Sequence, residues 1–344
     1  MSRELVQLLD DAVAQGVCPG GVLLVADRGK PVLRLPFGRL TSTGPAVTLD
    51  TVYDVASLTK PVATMSVVLR LIEAGRLAWD TPAGSFLLLP PDKQHLRVRD
   101  LAAHSSGLPA WRPFYQTAQR REDFPALAAA EPLEYPTGSR AVYSDLGFML
   151  LGALCERAGY SRLDELAART VFAPLGMDAT RFVDLTRPER PEGVAPTEIC
   201  PRRGLVVGEV HDDNCHAAGG ILGHAGLFST AGDLSRFAGA LCDNRFPEAL
   251  VREMWTPSGV PGSTWRLGWD SPSETHSQAG TKWPLTGVGH LGFTGCSLWI
   301  DPAQQRWVVL LTNRVHPRRD DDRIKTLRPA VHDLAWDLLD QALC

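Results

Sequence analysis

Apolar and polar positions follow two periods along this chain. In "MSRELVQLLDDAVAQGVCPGG" the apolar residues Leu5, Leu8, Leu9 and Val13 recur between acidic and polar ones, the spacing of an amphipathic helix. "GGVLLVADRGKPVLRLPFGRL" reads as two strands joined by a turn at Asp27-Arg28-Gly29. "GFTGCSLWIDPAQQRWVVLLTNRV" repeats that arrangement near the other end, with a turn around Asp301-Pro302. From Arg323 to Leu343 helical spacing returns at Leu327, Val331, Leu334 and Leu338. Strand pairs with a helix at each end predict one antiparallel sheet with flanking helices, built from the two termini.

The middle differs. "VRDLAAHSSGLPAW", "GSRAVYSDLGFMLLGALCERAGY" and "GDLSRFAGALCDN" read as helices and loops separated by Pro- and Gly-rich connections. The expected class is α/β plus all-α: an α/β domain over residues 1–90 and 216–344, with a mainly helical domain inserted over 91–215. A further buried helix starts at Ser57, because Leu58, Val62, Met65, Leu69 and Ile72 are spaced four, three, four and three apart, and ends near Gly75. Pro61 is tolerable only in about the first turn, which pins that start.

Composition narrows the function classes. The 344 residues carry a formal net charge of −4 and no basic cluster able to follow a phosphate backbone, so nucleic acid is excluded as a partner. No apolar run approaches the roughly 20 residues that span a bilayer, and the first residues read as an amphipathic helix rather than a signal peptide. No membrane association and cytoplasmic residence are the expectations. Seven cysteines, Cys18, Cys155, Cys200, Cys215, Cys242, Cys296 and Cys344, contain no C-x-x-C pair and are odd in number, the pattern of buried, reduced thiols.

Candidate chemistry begins at "ASLTK". Ser57 and Lys60, three apart, share a helix face and can meet. A serine at a helix start has free N–H groups beside it, and a partly desolvated lysine can take its proton. A serine N-cap followed by a solvated lysine fits those five residues equally well. Two other segments bear on the choice. In "EYPTGSRAVYSDLGFMLLG", Tyr143 and Asp145 precede a helix that Asp145 is placed to cap. In "GVGHLGFTGCSLWID", glycines at 287, 289, 292 and 295 lie along a strand, where they mark bulges or ligand approach.

Taken in order, "SLTK", "YSD" and "HLG" resemble the S-x-x-K, Y-x-N and K-T-G motifs of the serine β-lactamase and penicillin-binding-protein superfamily. "VRDLAAHSSGLP" resembles the L-L-x-H-x-S-G-L-P segment of its class C-like branch, which includes esterases and D-aminopeptidases. The resemblance covers about Gly20 to Arg314. It implies a β-lactamase/transpeptidase-like fold and an ester- or amide-cleaving serine hydrolase without metal or organic cofactor. Ser57 would be the acylating nucleophile, with Lys60 and Tyr143 as its proton-transfer partners and the deacylation base left open between them. Asp145, His290 and Gly292 would edge the substrate site, and the N–H groups of Ser57 and Phe293 would form the oxyanion hole.

Two departures bear on substrate. Asp145 stands where the family has asparagine and His290 where it has lysine, so the site lacks a cation for a substrate carboxylate unless an arginine or a protonated His290 supplies one. The expected partner is a small-molecule ester, amide or lactam substrate, with uncharged esters or amides processed better than classical β-lactams. A D-Ala carboxypeptidase or true β-lactamase is the alternative enzyme, and a non-catalytic ligand-binding homologue the alternative of another class.

"GEVHDDNCHAAGGILGHAGLFST" gathers His211, Asp212, Asp213, His216 and His224 without H-E-x-x-H spacing. Its glycines fit a cleft-shaping loop better than a metal site, and the resemblance puts His211 and His224 beside the substrate. Ser105 and Ser106 fall in the structural loop, where His104 is expected as a hydrogen-bonded scaffold residue. No G-x-S-x-G elbow or phosphate-binding glycine motif occurs.

Overall fold

The computed structural model describes residues 3–341. Two long N-terminal strands, β1 (Gly20–Asp27) and β2 (Lys30–Gly38), precede five short ones. These are β3 (Tyr53–Asp54), β4 (Arg181–Phe182), β5 (Ile199–Cys200), β6 (Gly204–Leu205) and β7 (Leu227–Ser229). β8 (Val288–Leu291), β9 (Ser297–Asp301) and β10 (Arg306–Thr312) follow. The main sheet is antiparallel, in the order β2-β1-β10-β9-β8. The two termini therefore build it together, as the hydrophobic pattern predicts. The first hairpin closes through Arg28 and Gly29, whose φ values of 47° and 78° match a primed turn and the twist of the strands.

Strand periodicity splits the interior in two. Val22, Leu24 and Ala26 of β1, with Trp307, Val309 and Leu311 of β10, face one core. Leu23, Val25, Val308 and Leu310 face the other, which the helices Arg3–Ala14 and Ile324–Gln341 cover with Leu5, Leu9, Leu327, Val331, Ala335 and Leu339. The first core continues without a break through Val62, Met65 and Leu69 into Phe148, Leu151 and Leu154 of the helix Asp145–Gly159. Edge strand β2 carries Pro31 and Pro36, tolerable on an edge, where half the backbone groups face outward.

The middle of the chain supplies helices Val98–Ala102, Asp123–Ala130, Asp145–Gly159 and Leu163–Ala167, then the short strands β4, β5 and β6. A small sheet, β3-β7-β4, ties the return of the chain to the segment just before Ser57, pairing Tyr53 with Ser229 and Asp54 with Phe228. The helix after Ser57 begins with a tight turn over Ala56–Leu58, widens to π geometry over Lys60–Met65 and becomes α-helical over Ser66–Glu73. Pro61, which has no N–H to donate, lies in the widened stretch. Gly75, at φ 67°, ends the helix.

Two of the strand glycines, Gly289 and Gly292, are required by close packing. A Cβ on Gly289 would lie 2.2 Å from the Trp299 ring, and one on Gly292 would lie 2.5 Å from the Val55 carbonyl. Cys18, Cys155, Cys200, Cys215 and Cys296 are buried free thiols and Cys242 is half-buried, while Cys344 lies outside the described residues. Among the described residues no helix is long and apolar enough to cross a membrane. Gly289→Ala is expected to lower stability by about 1–3 kcal/mol through overpacking. Urea unfolding measures this, and an unchanged midpoint would refute the packing role.

Candidate active site

Lys60 has no exposed surface, so its ammonium must be satisfied by protein oxygens. Its Nζ donates to Tyr143 Oη at 2.5 Å, Ser57 Oγ at 3.1 Å and the His224 carbonyl at 3.2 Å. Asp145 Oδ1 lies 2.7 Å away, an ion pair rather than a well-aligned hydrogen bond. Burial works to lower the Lys60 pKa, but the negative charge of Asp145 and the hydrogen-bonding phenol of Tyr143 together outweigh it, and the net shift is upward. Burial raises the Tyr143 pKa even against the neighbouring ammonium. The resting site therefore holds a charged lysine beside a neutral phenol.

Ser57 and Lys60 come from the start of one helix, Tyr143 and Asp145 from the entry to another. Ser57 sits in the tight turn that follows β3, and its hydroxyl accepts from Lys60 rather than capping the helix. That turn is entered through Ala56, a non-glycine residue at φ 48°, whose N–H donates to Asp54 Oδ1 at 2.8 Å. Asp54 Oδ2 accepts from the His211 N–H at 2.7 Å, so one buried carboxylate joins the serine turn to the histidine-rich loop. Burial raises the Asp54 pKa despite those two amides. Ser144, not Asp145, caps the helix, accepting from the Gly147 N–H at 3.1 Å and donating to the Pro109 carbonyl at 2.7 Å. This corrects the capping assignment: Ser144 is extended, while Asp145 is already in the first turn and faces Lys60 instead.

His104 is the scaffold residue the sequence suggests. Its Nδ1 accepts from the Ser144 N–H at 3.0 Å, and its ring packs 4.6 Å from that of Tyr143 and 4.6 Å from Trp265. Burial first, then the Lys60 charge, holds its pKa well below the ordinary histidine value.

His290 differs from one reading of the sequence. Burial, with Lys60 adding to it, moves its pKa down to about 3, so it supplies no positive charge at neutral pH. Its Nδ1–H donates to the Leu291 carbonyl at 2.8 Å, which leaves Nε2 an acceptor without a protein partner among the described residues. Nearby arginines are engaged: Arg314 and Arg328 donate to backbone carbonyls, and Arg319 pairs with Glu198 and Asp213.

The other candidate histidines are turned toward the scaffold. His211 Nε2 lies 3.0 Å from Glu198 Oε2, and its ring stacks on Phe293 at 5.7 Å. His224 Nε2 lies 3.0 Å from Asp212 Oδ1, and its carbonyl is what reaches Lys60. Asp145, Asp212 and His224 bring three potential ligand atoms within 4.8 Å of one another, but the Lys60 ammonium already lies against Asp145 and the His224 carbonyl. A metal cation there would meet a fixed positive charge, so the donor set is a poor fit.

The end of β8 borders the serine turn. Gly292 lies against the Val55 carbonyl, two residues before Ser57, and Phe293 follows with its side chain half exposed. Sequence reasoning missed Asp54, Trp265, Arg314 and Arg328. Their numbers lie outside any motif, and only the burial of Asp54 and the two arginines distinguishes them from surface residues.

A serine and a tyrosine thus meet at one buried lysine nitrogen, beside the end of an antiparallel strand. The chain belongs to the β-lactamase family, whose model matches residues 5–332, and is a serine hydrolase of that family. It is 28% identical over 358 residues to the N-acetylmuramyl-L-alanine amidase of Bacillus subtilis (strain 168), covering 91% of this chain and 81% of the relative. It is 31% identical over 305 residues to a protein of Escherichia coli (strain K12) named "Putative D-alanyl-D-alanine carboxypeptidase", covering 78% of this chain and 70% of the relative. In fold it is similar to the octameric penicillin-binding protein homologue from Pyrococcus abyssi. The TM-score is 0.77 at 22% identity, covering 97% of this chain and 77% of that one.

Replacing Asp145 by Asn removes the charge that holds the proton on Lys60. The Lys60 ammonium is expected to titrate at lower pH, measured by NMR of 15N-labelled lysine. An unmoved titration would show that Asp145 exerts no such hold.

Proposed function

We propose that Ser57 is the nucleophile of a two-step ester or amide hydrolysis, with Lys60 and Tyr143 acting as one proton-transfer unit. The observation that carries this reading is the approach of Ser57 Oγ and Tyr143 Oη to the same buried Nζ. Ser57 Oγ adds to the substrate carbonyl while its proton passes into the Lys60–Tyr143 unit. The tetrahedral oxyanion is met by the N–H groups of Ser57 and Phe293. Collapse breaks the bond to the leaving group, which takes the proton back and departs. Water repeats the sequence on the acyl-enzyme and regenerates Ser57. Because Asp145 favours the fully protonated unit, the productive form gains population as pH rises, and the pair titrates together.

The reading favours uncharged esters and amides over anionic β-lactams. A substrate carboxylate would meet a neutral His290, engaged arginines and the negative charge of Asp145. Cleavage of peptides ending in D-Ala is the second reading, favoured by the 31% identity to the Escherichia coli relative. A binding protein without turnover is less well supported, since Ser57, Lys60 and Tyr143 are all within hydrogen-bonding reach.

Intact mass after treatment with a fluorophosphonate or a penicillin is expected to show one adduct, absent in Ser57→Ala, with kcat for an ester falling on the order of 10⁴-fold in that variant. No adduct from either reagent would point to the binding reading. A short nitrophenyl ester is expected to exceed a chromogenic cephalosporin and a D-Ala-D-Ala peptide in kcat/KM; a strong preference for either of the latter two would overturn the substrate assignment. The rise of kcat/KM with pH should move to lower pH in Asp145→Asn, in step with the Lys60 titration.

A further inference from the structure

The turn between β8 and β9 rests on two buried arginines. Arg328, on the C-terminal helix, is 5% exposed, and its Nη2 donates to the Gly292 carbonyl at 2.6 Å and the Cys296 carbonyl at 3.1 Å. Its Nε reaches the Gly295 carbonyl at 3.4 Å. Among the described residues these partners are all backbone carbonyls, with no carboxylate in an ion pair to Arg328. Burial accordingly brings its pKa down to about 10, with Arg314 adding to the effect. A desolvated guanidinium without a counter-ion is a strongly unfavourable way to hold a turn that neutral donors could hold.

What distinguishes this cation is the peptide it touches. The Gly292 carbonyl and the Phe293 N–H are the two ends of one amide group, so a positive donor on the oxygen draws electron density through the amide and strengthens the N–H as a donor. The Gly295 N–H also donates to the Gly292 carbonyl, at 3.0 Å, which holds that amide from its oxygen end, and the N–H of the preceding amide, that of Gly292, donates to the Cys296 carbonyl at 2.7 Å. Gly292 itself is pressed against Val55, so the turn is held relative to Ser57.

We propose that Arg328 is a positioning residue of the oxyanion hole, orienting and polarising the Gly292–Phe293 peptide so that its N–H is presented to the acyl carbonyl on Ser57. The proposal rests on the reading of Ser57 as the acylated residue and of the Phe293 N–H as part of the hole. Arg314 provides the internal comparison. It is 8% exposed and donates to the same turn, but at the Phe293 carbonyl (2.8 Å), whose peptide partner is the N–H of Thr294. Both arginines are charged and buried, but Arg314 touches the following amide, and it also donates to the Arg319 and Asp321 carbonyls and lies 4.4 Å from the centre of the Phe293 ring.

The test is isotope-edited infrared spectroscopy of the acyl-enzyme formed with a nitrophenyl ester labelled with 13C at the carbonyl. In Arg328→Gln the acyl carbonyl band is expected to move to higher wavenumber, toward that of a free ester, with kcat/KM falling about tenfold and kcat carrying most of the loss. Arg328→Lys, which keeps a cation but shortens its reach, should lie between. Arg314→Gln should leave the band in place. A band unmoved in both Arg328 variants, or moved equally in Arg314→Gln, overturns the proposal. Absence of any Ser57 adduct in the parent protein would instead remove the nucleophile reading on which it stands.

Discussion

One buried ammonium organises this molecule. With no water to satisfy it, Lys60 requires oxygen atoms on every accessible side, and the chain delivers them from Ser57, Tyr143, Asp145 and His224. Those residues belong to the serine turn, the approach to the long middle helix and the loop before β7. The small sheet that pairs Asp54 with Phe228 and the core that runs from β1 into the helix Asp145–Gly159 can be read as the supports of that convergence. Removing the cation would leave Asp145 without its partner and would also disturb the protonation of its neighbours.

That second effect reaches beyond direct contacts. His104 and His290 make no hydrogen bond to Lys60, yet its charge adds to burial in keeping both neutral. Their rings, with Tyr143 and Trp265, form a connected aromatic group, with Tyr143 centred 5.9 Å from His290 and Trp265 5.6 Å from it. A wall of this kind offers polarisable faces and single acceptor atoms rather than charge. Its character is set first by the burial of the two histidines, with the charge of one lysine adding to it.

Much of the architecture was legible because it is periodic. The continuous apolar runs over Val22–Ala26 and Trp307–Leu311 encode strands with cores on both faces, and the four-three spacing after Leu58 encodes a buried helix. The site was legible to the extent that its residues stand in motifs. What could not be read was pairing across long separations. Asp145 looks like a cap because caps are local, whereas its partner lies 85 positions earlier; Ser144 beside it fits the capping pattern equally well. The protonation of His290 depends on burial, which a tripeptide motif does not carry. Arg314 and Arg328 fall in a stretch rich in arginine and aspartate that resembles any solvated segment, and only the fold turns these two inward.

Ala56 carries a consequence of another kind. A non-glycine residue in the left-handed region costs roughly 1 kcal/mol, and here it is the step by which the chain turns from β3 into Ser57, the proposed nucleophile. Glycine at this position would relieve the conformation while loosening the serine that follows. On the proposed role of Ser57, thermal tolerance and turnover are set against each other within a single methyl group. A population selected only for heat resistance would be drawn to lose it, and one selected for catalysis would keep it.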